Sequence, residues 1–97
     1  LQMKTIVVNK LYEKYDIYIG RPSIYGNPFR VGIDGTRDNC CDYHKSWLEG
    51  TSWSDFFQSE RRKVLKNIHK LKGQRIGCYC KPKRCHGDFL AELADRN

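Results

Sequence analysis

Ninety-seven residues make one small domain, and a chain of this length buries only about 60–65% of its unfolded surface. Apolar residues at 39% and charged residues at 30% exclude a disordered chain, and no run reaches the ~18 apolar residues of a membrane helix. The net charge is +7, from 18 Lys and Arg against 11 Asp and Glu, and it is unevenly placed.

Segment 61–84 holds ten of the basic residues and no acidic one. It reads either as a solvated basic face or as an attractor for an anionic partner, nucleic acid or a phosphorylated small molecule. No secretory leader is visible, so a cytoplasmic location without membrane association is expected. Leu1 and Gln2 precede Met3 and read as residues left from cloning, so the domain is taken as 3–97. Five cysteines, an odd number, argue against a disulfide framework.

The β-branched run 4–9 (KTIVVN) predicts a first strand, and 16–20 (DIYIG) a second, joined by a tight connection at 11–15. A long loop follows, rich in glycine and stiffened by Pro22 and Pro28. Structureless loops of this length are usually functional or disordered, and its Ile24, Tyr25, Phe29, Val31 and Ile33 predict an ordered one. Asp38 is a plausible cap for a helix over 39–49, with Cys40, Tyr43, His44, Trp47 and Leu48 on one stripe. Ser52 or Ser54 caps a second helix over 55–72, with Phe57, Val64, Leu65, Ile68 and Leu71 inward. Trp47, Trp53, Phe56 and Phe57 are assigned to the core between the helices. Residues 75–80 (RIGCYC) predict a third strand, and a last helix starts at Cys85 or His86. The order implies an α/β fold: a small three-stranded, partly parallel sheet flanked by three helices, a Rossmann-like fragment.

Ligands of open parallel sheets sit beyond the C-terminal strand ends. Those ends lead into the 20–37 loop and the 78–88 turn, so both segments are expected to meet at one site. In the turn, Cys78 and Cys80 share a strand face, and Cys85, His86, Gly87 and Asp88 open the helix. One reading is an anion site at the helix N-terminus. Lys81, Lys83 and Arg84 would add charge, and Gly87 would allow close approach. Cys85 would then be nucleophilic, His86 an acid or base, and Asp88 its orienting partner. The alternative is zinc held by Cys78, Cys80, Cys85 and His86. In the loop, Arg21 suits phosphate, Asn27 a base or ribose edge, and Tyr25 a stacking contact. Asp34 to Arg37 reads as plain turn chemistry.

The strings IYIGRPSIYGNPF, DGTRD and GCYCKPKRCHGDFLAEL resemble the family catalogued as domain of unknown function 4326. The resemblance runs from Ile17 to Leu93. It implies a small α/β protein of bacterial or phage origin, acting in the bacterial cytoplasm. It also implies a site formed by Arg21, Asn27, Cys78, Cys80, Cys85, His86 and Asp88. The C-H motif is similar, more loosely, to that of domain of unknown function 488, where an arginine stands in place of Gly87.

The function expected is binding of a nucleotide or nucleoside phosphate, with or without turnover. An enzyme would process the ligand; a counter-defence protein would sequester a nucleotide signal. The alternatives are a zinc-dependent nucleic-acid-binding domain and a module that inhibits a host protein. Exposed sheet edges also make a homo-oligomer an expectation.

Overall fold

The computed structural model describes residues 4–96. Leu1 and Gln2, set aside above, lie with Met3 and Asn97 outside the described residues. Three strands form: β1 (Ile6–Asn9), β2 (Ile17–Tyr18) and β3 (Arg75–Cys78). Three helices accompany them: α1 (Arg37–Glu49), α2 (Gln58–Asn67) and α3 (Gly87–Arg96). A 3-10 turn, Ile68–Leu71, extends α2. Among the described residues no helix is long and apolar enough to cross a membrane.

The sheet is parallel throughout, in the order β1-β3-β2, so the last strand takes the centre. The α/β class expected from sequence is therefore present, with parallel pairing on both sides of β3. The reason lies in the connection 10–16. It does not turn back as a tight link; it carries the chain across β3. Tyr15 lies against Gly77 at the crossing, where a Cβ would sit 2.8 Å from the tyrosine ring. Asp16 and Arg75 lock the crossing through Asp16 N–H to the Arg75 carbonyl (2.7 Å) and Arg75 N–H to Asp16 Oδ2 (2.9 Å). Arg75 Nε also donates to the Lys14 carbonyl, at 2.8 Å. Ile76 and Cys78 point the other way, into the core beneath the helices.

Gly77 is thus required by close approach. Gly77→Ala is expected to destabilise the fold by about 1–3 kcal/mol, since the tyrosine ring or the strand must shift. Urea denaturation beside wild type measures this, and an unchanged midpoint would show that the crossing yields freely.

Helix α1 starts two residues before the predicted position. Its cap is Thr36, not Asp38: Asn39 N–H donates to Thr36 Oγ1 (3.1 Å), and Thr36 N–H donates to Asn39 Oδ1 (3.1 Å). Gly50, at φ 79°, closes it. Helix α2 begins at Gln58, with neither serine capping it; Phe57 enters it in the left-handed region, at φ 45°. Arg61 from α2 donates to the Trp47 and Leu48 carbonyls (2.8 and 3.1 Å) and satisfies the end of α1.

The core joins the sheet's inner face to all three helices. Phe29 anchors the long loop in it, stacked on Phe56 with ring centroids 4.8 Å apart. Trp47 is 1% exposed, and its indole N–H donates to the Phe56 carbonyl at 2.6 Å. Trp53 and Phe57, expected inside, are 40% and 49% exposed. The irregular entry to α2 turns them outward.

Candidate functional site

Strands β2 and β3 end on the same edge of the sheet, the edge where open parallel sheets bind ligands. Between the segments that leave them lies a hollow of about 370 Å³, a volume suited to a small molecule. Arg21, Asn27 and Phe29 line it from the loop, and Arg37, Cys40 and Cys41 from α1. Cys78, Cys80, Arg84, Cys85 and His86 line it from β3 and the turn. The structure thus places Arg21 and the Cys85–His86 pair around one space. The Arg21–Pro22 and Lys81–Pro82 peptide bonds are cis.

The loop is held by its own polar groups. Asn27 Nδ2 donates to the Cys40 carbonyl (3.2 Å), and Asn27 Oδ1 accepts from Phe29 N–H (2.9 Å). Its amide thus fastens the loop to α1. Arg21 is exposed, and its Nη1 donates to the Asn27 carbonyl at 2.8 Å. Tyr25, expected to stack on a ligand, is buried at 6% exposure, and its hydroxyl donates to the Asn67 carbonyl (3.0 Å). The ring is wide enough to complete a small core, and the hydroxyl finds a partner there.

The turn after β3 also differs from expectation. Asp88 does not orient His86. It accepts from Cys85 N–H at 3.2 Å and pairs with Lys81 Nζ at 2.6 Å. Lys81 is thereby tied to the helix start and is absent from the hollow's lining. Gly87 serves packing: a Cβ there would overlap Ile19 and crowd Val7, so the glycine lets α3 lie against the sheet. Its N–H donates to Cys85 Sγ at 3.3 Å, and Asp88 N–H donates to the Cys85 carbonyl at 3.0 Å. The Cys85, Gly87 and Asp88 amides at the helix start are thus engaged by their own chain. Arg84 lines the hollow but is neutralised by Asp42 (2.7 Å) and Asp38 (3.3 Å).

Arg37 is the residue that sequence reading missed. It stands at the start of α1, lines the hollow, and donates through Nη1 to the Arg84 carbonyl at 3.4 Å. The DGTRD string held the signal, but it was read as turn chemistry alone.

The thiols are unequal. Cys80 is half-buried, and its pKa is held far below the usual thiol range by the thiols of Cys78 and Cys85 and then by Arg37. Cys85 is 3% exposed and pushed strongly upward by the thiols of Cys78 and then Cys80, with burial adding to it. Cys80 is the least buried of the three thiols and the one that faces Arg37. Burial raises Cys40 and Cys41 as well. Cys41, like Cys40, is buried.

His86 Nε2 lies 2.9 Å from the Ile19 carbonyl. A carbonyl only accepts, so this nitrogen carries the hydrogen and Nδ1 is bare. Nδ1 lies 3.6 Å from Cys85 Sγ. Burial lowers the pKa of His86. Behind it stands His44, fully buried on α1, edge-on to His86 with ring centroids 5.2 Å apart. Among the described residues, neither ring nitrogen of His44 has a hydrogen-bond partner. Burial, and then the neighbouring His86, hold its pKa well below the usual value. The zinc set of Cys78, Cys80, Cys85 and His86 lies along one wall. Among the described residues, however, no group of three or more His, Cys, Asp or Glu side chains is arranged to hold a metal ion.

The chain is 36% identical over 93 residues to an uncharacterised 12.4 kDa protein from the nrdA-td intergenic region of Enterobacteria phage T4. The match spans 93% of this chain and 77% of that protein. No solved structure matches. The profile of the family described as domain of unknown function DUF4326 matches residues 4–96, and with a phage relative at this identity the chain belongs to that family.

Proposed function

We propose that the hollow binds a small phosphorylated ligand of the nucleotide class, with Arg21 and Arg37 holding its anionic group. One observation carries the reading. Two arginines from separate segments meet at the C-terminal edge of a parallel sheet, around a space of ligand size. Guanidinium forks suit phosphate, and Arg84 is already matched by two carboxylates, so Arg21 and Arg37 supply the charge. If the ligand is turned over, Cys80 is the thiol fitted to attack, because it lies half-buried in the wall of the hollow whereas Cys85 is buried. The bare Nδ1 of His86 is then the base nearest the thiols. If it is only sequestered, the same arginines suffice.

The basic segment 61–84 supports nucleic-acid binding less well. Arg61 is committed to α1 carbonyls, and Arg75 to the β1–β2 connection. Arg62, Lys63, Lys66 and Lys70 remain exposed.

Native mass spectrometry against a panel of nucleotides tests the reading, and it reports bound metal and subunit count in the same run. Arg37→Ala and Arg21→Ala are each expected to weaken binding roughly 10- to 100-fold, the worth of a hydrogen bond to a charged group. Recovery of intact ligand after denaturation distinguishes sequestration from turnover. Absence of binding across the panel would dismiss the nucleotide reading.

A further inference from the structure

The anion-holding wall faces only part of the hollow. Tyr18 and Tyr79 also line it, at the ends of β2 and β3. Their rings meet edge to face, with centroids 5.9 Å apart. Both are fixed in place before any ligand arrives. The Tyr18 hydroxyl donates to the Arg21 carbonyl at 2.9 Å, and its ring lies across Gly20, where a Cβ would overlap it. The Lys10 ammonium stands 4.6 Å from the Tyr18 centroid and 5.3 Å from that of Tyr79. Tyr79 is 52% exposed, although a ring of its size contributes more to stability when buried. A pre-set aromatic pair, half-buried Tyr18 and exposed Tyr79, beside two arginines suits a ligand with an anionic end and a flat π-surface.

We infer that Tyr18 and Tyr79 form a nucleobase subsite, so that the ligand class is a nucleotide rather than a sugar phosphate. The inference rests on the nucleotide reading above and adds the base to it. Stacking on an aromatic ring is tolerant of base identity, because every base has a π-face. The subsite therefore favours bases in general over no base, with modest preference among them. It also takes over the role first assigned to Tyr25, which the core has absorbed.

Calorimetric titration with the four nucleoside 5′-monophosphates and with ribose 5-phosphate tests it. The monophosphates are expected to bind roughly 5- to 100-fold more tightly than ribose 5-phosphate, the range that one stacked base supplies. Tyr79→Leu is expected to remove most of that gap and leave ribose 5-phosphate affinity unchanged, whereas Tyr79→Phe keeps the gap. Equal affinity for nucleotide and sugar phosphate in the wild type would overturn the base subsite while leaving the arginine wall intact. So would equal weakening of both ligands by Tyr79→Leu. If neither ligand class binds, the nucleotide reading itself falls, and the subsite with it.

Discussion

Lowering the pH from 7 to 5 is expected to destabilise the fold steeply, and His44→Leu is expected to flatten that dependence. His44 is buried with no partner for either nitrogen, so the folded protein disfavours its charged form. Its folded-state pKa lies below the unfolded value near 6.5. Below that value the unfolded chain takes up a proton that the folded chain refuses. Stability is therefore complete above the window and falls as pH drops through it, by up to about 1.4 kcal/mol per pH unit for each such histidine. His86 shifts in the same direction and adds to the slope. At pH 7 the leucine variant is expected to match or exceed wild type, because an unpaired buried polar ring gives way to an apolar one. Urea midpoints at pH 5, 6, 7 and 8 for both proteins measure this. Parallel profiles would show that His44 charges without cost.

Iodoacetamide at pH 6 is expected to label Cys80 well before any other cysteine. Alkylation requires the thiolate. Cys80 is the thiol whose pKa falls, and it lies in the wall of an open hollow. Cys40, Cys41, Cys78 and Cys85 are buried, and for Cys40, Cys41 and Cys85 the shift is upward. Peptide mapping after brief treatment should find one carbamidomethyl group, in the peptide bearing Cys80. Arg37→Met removes a positive neighbour of that thiol and should slow the labelling at pH 6 more than at pH 8. Even labelling of several cysteines at pH 6 would mean that the trio shares its proton differently.

Much of this architecture can be read from local pattern. The β-branched run around Ile6, the stripe from Cys40 to Leu48 and the turn at Gly50 identify their elements without any tertiary information. So does the convergence of loop and turn, which follows from parallel strands alone. What escaped depends on partners remote in the chain. Nothing near Gly77 indicates that Tyr15 will cross it. Gly87 resembles a glycine left open for a ligand, and only the sheet beneath it shows that the space is taken by Ile19. Tyr25 sits in the long loop and Tyr79 in the predicted third strand, yet the loop tyrosine is the buried one and Tyr79 is exposed. Asp88 sits two residues from His86, and proximity along the chain suggested a pairing that Lys81 and the Cys85 amide claim instead. Arg37 was discounted because its string fits an ordinary turn equally well.

The placement of β3 at the centre has a consequence for synthesis. Strands β1 and β2 never pair with each other; each pairs only with β3, which lies in the last quarter of the chain. A nascent polypeptide that has emerged only as far as Leu71 holds two strands with no neighbour to zip against. No sheet can therefore assemble until β3 itself has left the ribosome. The nascent chain meets its translation machinery and chaperones with those strand edges unpaired.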